Sequence, residues 1–143
     1  MKHNMKKINI LLISLICTIA LVAQDDDESN LMGFIVGEYS IIGKHVENDK
    51  TYFGTMKINL EDSKFIISRK IGNKTIKADG RLKKTGPDKI EVFVISFTEN
   101  KVLYEITYLI DTDFDNYGRL SGYRYYKDKN TEKPGLEALF INH

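Results

Sequence analysis

The chain has 143 residues, 42% of them hydrophobic, and sets 21 Lys+Arg against 20 Asp+Glu for a formal net charge of +1. So small a balance argues against nucleic acid or an anionic membrane as the main partner, since both demand a basic face. A single cysteine, Cys17, rules out a disulfide framework, so stability has to come from an apolar core.

In chain order, the first feature is a targeting segment. Lys2, Lys6 and Lys7 precede an almost wholly apolar run, Ile8 to Ala23, which closes on Leu21-Val22-Ala23-Gln24. A basic start, an apolar middle and a small residue at the end predict a secretory signal peptide over residues 1–23. The run of about 16 residues falls short of the about 20 that a membrane span needs, so no stable membrane insertion is expected. Cys17 could anchor a lipid, but Leu15 and Ile16 are bulky where a lipoprotein peptidase needs small residues. Cleavage after Ala23 removes three lysines and the only cysteine, leaving a chain of formal charge −2 in the periplasm or outside the cell. Residues 24–32, with Asp25 to Asn30 at their heart, are acidic and apolar-poor and are expected to be a disordered leader.

Residues 33–143 read as one all-β domain. Apolar residues recur at every second position over Phe34–Gly43, Thr51–Leu60, Lys64–Ile71, Lys74–Lys83, Lys89–Phe97, Val102–Ile110, Gly118–Lys127 and Leu136–Ile141. Turn residues separate them, among them Gly72-Asn73, Gly86-Pro87, Glu99-Asn100 and Asp115-Asn116. Links of two to four residues force antiparallel neighbours. Eight sequentially paired strands predict an up-and-down barrel, with a β-sandwich as the competitor. Alternation puts Ile35, Gly37, Tyr39 and Ile41 inside on the first strand, Tyr52, Gly54, Met56 and Ile58 on the second, and Tyr104, Ile106, Tyr108 and Ile110 on the sixth. Phe34, Phe53, Ile66, Leu109, Tyr123 and Tyr125 fall on the outside.

Three segments, "GEYSIIGKHVENDKTYFGTMKI", "SKFIISRKIGNKTIKADGRL" and "GRLSGYRYYKDKNTEKPGLEAL", carry a G-x-Y opening, a Y-x-G-x-x-x-I second strand, a G-x-L-x-G seventh strand and a G-x-E-x-L ending. In these motifs the chain resembles exported bacterial lipocalin-like (calycin-type) barrel domains across about residues 33–141. Gly37-Glu38-Tyr39 is similar to the G-x-W of lipocalins and avidins, with tyrosine in place of tryptophan. The resemblance implies the barrel; function has to be read from a site.

Three charged residues share parity with the apolar interior: Arg69, Arg124 and Glu137. Burying a lone charge is expensive, so each needs a partner or a ligand. Strand order places Arg124 and Glu137 on neighbouring strands, the seventh and eighth, and predicts that they pair. The second possibility is a cationic cavity for an anionic or amphipathic small molecule, lined by Tyr39, Arg69, Tyr104, Tyr108, Arg124 and Glu137. On the seventh strand Tyr123 and Tyr125 compete with Arg124 for the inside.

Asp111, Asp113 and Asp115 match the first three ligand positions of a calcium loop, but the sixth position is Asn116 and the twelfth is Gly122. The stretch reads as a hairpin turn, with weak calcium binding as the alternative. No catalytic residue, metal or cofactor is assigned. His45 and His143 are the histidines left after cleavage, and no serine occupies a strand-to-helix elbow. The sequence therefore predicts a non-enzymatic exported barrel that binds a small ligand inside. The alternative is a solid-cored protein-interaction or inhibitor module acting through its outer surface.

Overall fold

Val, Ile, Tyr, Phe and Thr at alternating positions suit a pleated ribbon with one buried face, and the chain folds accordingly. The computed structural model describes residues 28–113 and 116–142. Eight strands run in order: β1 (Gly37–Lys44), β2 (Thr51–Glu61), β3 (Lys64–Ile71), β4 (Lys74–Thr85), β5 (Ile90–Glu99), β6 (Val102–Ile110), β7 (Gly118–Tyr126) and β8 (Gly135–Ile141). Each pairs antiparallel with the next, and β8 returns to β1, so the sheet is a closed eight-stranded barrel with no free edge.

The chain divides into two units, Met1–Gly33 and Phe34–His143. The signal segment lies outside the described residues, as do residues 24–27 of the acidic leader. Residues 28–35 are helical, which corrects two expectations. Residues 28–32 have regular structure where disorder was expected, and the first strand begins at Gly37 instead of Phe34. Within the second unit, Ile35 is buried and its carbonyl accepts a hydrogen bond of 2.7 Å from the Tyr39 hydroxyl.

Tight turns hold the register. Asp62 and Ser63, and likewise Asn100 and Lys101, take positive φ at both central positions of two-residue hairpin loops, whose twist matches that of the flanking strands. Inward residues meet as the alternation requires: Tyr39, Ile41, Met56, Ile58, Ile67, Phe93, Ile95, Ile106, Leu120 and Leu139 are all buried. Strand β5 departs from simple alternation, being buried from Val92 to Phe97 on both faces. An Arg81–Glu105 ion pair of 3.2 Å links β4 to β6 across its outer side.

The two sides of the wall differ in chemistry. Over β2 to β4 the outward positions are mostly charged or polar, among them Lys57, Asn59, Ser68, Lys70, Lys77, Asp79, Arg81 and Lys83, with Phe53, which pairs with Ile42, and Ile66 as exposed apolar residues. Over β6, β7, β8 and β1 they include Leu109, Tyr123, Tyr125, Leu136, Phe140 and Ile42, all exposed.

Adjacent residues on β3 test the alternation. Ile67 is 2% exposed and Ile66 is 47% exposed. Ile67→Ala is expected to cost about 2–5 kcal/mol in urea unfolding, and Ile66→Ala less than about 0.5 kcal/mol. Equal costs would mean the register is wrong.

Candidate functional site: a buried charge network under one rim

Five consecutive strands set one row of side chains across the inner wall. Tyr52 on β2 pairs with Gly43 on β1, Gly43 with Glu137 on β8, Glu137 with Gly122 on β7, and Gly122 with Tyr108 on β6. Glycine on both flanks leaves room around the Glu137 carboxylate. A methyl group on Gly43 would come within 2.3 Å of the Tyr52 ring, and one on Gly122 within 2.0 Å of the Thr107 carbonyl oxygen. The two tyrosines reach in from either side. Tyr52 donates to Glu137 Oε2 at 2.5 Å, and Tyr108 donates to Oε1.

From across the lumen, β3 contributes Arg69. Its Nη1 and Nη2 donate to Glu137 Oε1 and Oε2, both at 2.7 Å, in a two-pronged ion pair. The carboxylate thus accepts four hydrogen bonds, about as many as its lone pairs allow. The Arg69 guanidinium also lies over the Phe97 ring, 4.3 Å from its centre.

A second pair sits nearer the rim formed by the loops after β1, β3, β5 and β7. Arg124 Nη2 donates to Glu99 Oε2 at 2.6 Å, and its guanidinium stacks on Tyr104 at 3.8 Å. The rings of Phe97, Tyr104 and Tyr126 continue the stack. At the rim itself, His45 packs on Tyr52 with ring centres 4.7 Å apart. The β1–β2 and β7–β8 loops are tied together. The Glu47 carboxylate accepts from the backbone N–H groups of Glu132 and Lys133, while Lys133 Nζ and Lys44 Nζ both meet Asp49.

The electrostatics follow from burial and pairing. Burial alone would raise the Glu137 pKa, but the Arg69 charge and the hydrogen bonds from Arg69, Tyr108 and Tyr52 outweigh it and hold the group below its ordinary range. A folded pKa below the unfolded one stabilises the fold at pH above the unfolded value, and that contribution is lost as pH falls. Tyr108 and Tyr52 move the other way, raised first by burial and then by the Glu137 charge, so both hydroxyls keep their protons to donate. His45 is lowered, by burial first and then by the Arg124 charge, against an opposing pull from Glu99.

All three inward charges sit where the alternation put them: Arg69 is 0% exposed, and Arg124 and Glu137 are each 2% exposed. Tyr123 and Tyr125 take the outer face of β7. The expected Arg124–Glu137 pair is corrected. Arg124 pairs with Glu99 and Glu137 with Arg69, because a chord across a narrow barrel brings β3 to β8 with the better two-pronged geometry. Among the six expected cavity residues, Tyr39, Arg69 and Tyr108 have 0% exposure, so no water-sized space lies against them. Tyr104 is half-buried beneath Arg124. Arg69, Tyr108 and Glu137 pack against one another, and Arg124 against Tyr104.

The aspartate stretch behaves as a turn in its described part. Asp111 accepts from Asp113 N at 3.1 Å and from Asn116 Nδ2 at 2.7 Å, and Asn116 Oδ1 accepts from Gly118 N at 3.0 Å. Asp115 lies outside the described residues, as does His143. Among the described residues, no cluster of three or more His, Cys, Asp or Glu is placed to hold a metal. Comparison with protein-family models, curated proteins and solved structures returns no match for this chain. The class defined by the structure is a closed eight-stranded antiparallel β-barrel, consistent with a lipocalin-like fold.

A four-member cycle tests the network. Glu137→Ala leaves the Arg69 charge buried and alone and is expected to cost about 3–5 kcal/mol in thermal or urea unfolding. Adding Arg69→Met removes that stranded charge, so the double variant costs less than the sum of the single changes by more than about 1 kcal/mol. In the parallel cycle with Arg124→Met, the coupling to Glu137 is expected to be the smaller. The reverse ranking would contradict the assigned partners.

Proposed function

We propose that the protein is an exported, non-enzymatic, lipocalin-like barrel with a filled interior, acting as a protein-interaction module through its outer wall. The observation that carries this reading is the closure of the interior on itself. Two buried arginines meet two carboxylates, so no net charge is left to attract an anion, and the most deeply buried side chains have no free space beside them. An interior anionic ligand would have to displace Glu99 from Arg124 or Glu137 from Arg69, exchanging one desolvated ion pair for another.

The outer wall offers what the interior does not. Leu109 is 59% exposed, Tyr123 54%, and Leu136 and Ile42 46% each, on four adjoining strands. An open groove of about 830 Å³ runs over these strands, with Leu109, Tyr123, Leu136 and Ile42 among its lining residues. Contiguous apolar surface rimmed by polar residues marks a contact face, and Tyr is among the residues that anchor such faces. Export is supported by the composition and order of residues 1–23.

Two measurements on protein isolated from its own host test the reading together. Native mass spectrometry is expected to give the mass of the polypeptide with no retained small molecule. Affinity capture from the exported fraction is expected to return a protein, another chain or a second copy, that Leu109→Lys with Tyr123→Glu no longer retains. A stoichiometric small molecule released only on unfolding, with no protein captured, would replace this reading with the interior-ligand one.

A further inference from the structure

The proposed outer-wall reading leaves the occupant open, and the arrangement of large and small residues on that wall narrows it. Tyr123 on β7 and Leu136 on β8 pair side by side and form a ridge. One row along, Ser121 and Ala138 also pair side by side and form a trough, closed at its ends by Leu109, the partner of Ser121, and Ile42, the partner of Ala138. Ridge and trough run parallel, separated by two residues of strand, about 7 Å.

We propose that a second copy of this chain docks on this wall. A two-fold axis lying in the plane of the contact, between the two rows and parallel to them, carries the ridge of one copy over the trough of the other. The reciprocal contact forms at the same time, which is the requirement for an isologous interface. Charge fits the same answer. Lys44, at the end of the ridge row, is tied to Asp49 at 2.5 Å, and Glu105, beside the wall, is tied to Arg81 and Lys127. Within the two rows the one charged residue is Lys44, held by Asp49, so a second copy meets no cluster of like charge there, whereas an anionic lipid surface needs a cationic one. The barrel has no free strand edge, so association by adding strands to the sheet is closed off, and the partner has to lie on the wall.

The test is the oligomeric state of the intact protein, read by sedimentation equilibrium between about 1 and about 200 µM, a span that captures a micromolar dimer. A concentration-dependent dimer is expected. Ala138→Glu fills the trough with a charge and is expected to weaken the dimer on the order of 30-fold or more. Tyr123→Ser removes the ridge from the other side of the same contact and reads it even if the first variant folds poorly. Ile66→Glu, on the charged wall, is the control and is expected to leave the dimer intact. Far-UV circular dichroism and the melting temperature establish that each variant is folded. A protein monomeric throughout, or a dimer indifferent to both wall variants, overturns self-association. A monomer whose captured protein partner is lost in Ala138→Glu overturns it while leaving the outer-wall reading standing. Co-flotation of the monomer with anionic phosphatidylglycerol vesicles, lost in the same variants, overturns both.

Discussion

A carboxylate with four hydrogen bonds, sealed inside a barrel, constrains almost everything around it. Glu137 is fully desolvated, and an ionised carboxylate in that position is tolerable only if every lone pair is met. That requirement accounts for residues on five strands at once. Gly43 and Gly122 have no side chain because Tyr52 needs the space over one and the β6 backbone presses on the other. Tyr52 and Tyr108 are tyrosines instead of phenylalanines because a hydroxyl has to be delivered to each oxygen. Arg69 is needed as arginine because two parallel donors are required, and a lysine offers only a point charge. The network is the interior of the barrel at this end, so its geometry and the wall's register specify each other.

Neutrality inside and asymmetry outside belong to one picture. Each buried arginine has its own carboxylate, Glu137 for Arg69 and Glu99 for Arg124. A barrel of eight strands has an interior only wide enough for side chains or one small ligand, and here arginine, tyrosine and phenylalanine occupy it. Outside, β6 to β8 and β1 present Leu, Tyr and Ile, while β2 to β4 present mainly Lys, Arg and Asp, with Phe53 and Ile66 among them. The closed sheet leaves no free strand edge through which the apolar side could pair with another chain.

Most of the architecture was legible in residue alternation. The period of two is strong where polar and apolar residues strictly alternate, as in Ile76-Lys77-Ala78-Asp79-Gly80-Arg81, and it placed Arg69, Arg124 and Glu137 inside. Partner choice was not legible. Sequence order ranks neighbours along the wall, so it favoured Arg124 for Glu137, whereas the true contact crosses the lumen between residues 68 apart. A usable signal was present all the same. Gly43 and Gly122 are inward glycines, and hairpin registration sets them on either side of an inward glutamate. Glu99 was missed because a carboxylate at a strand end beside Asn100 reads as a solvated turn residue. The helix over residues 28–35 was missed for a similar reason, since Asp25 to Asn30 mask the i, i+4 spacing of Leu31 and Ile35. Its two turns are too short to show a stripe.

The protonation of Glu137 in the folded protein tests the central claim most directly. With ¹³C-labelled glutamate, the Glu137 side-chain carboxyl signal is identified by its loss in Glu137→Gln and followed as pH is lowered. A carboxylate held by Arg69, Tyr52 and Tyr108 stays ionised below the ordinary glutamate value of about 4.3, until the protein unfolds. A Glu137 signal that titrates reversibly at or above that value in the folded state would mean that the carboxylate is solvated or unpaired, and that the interior is not closed on itself.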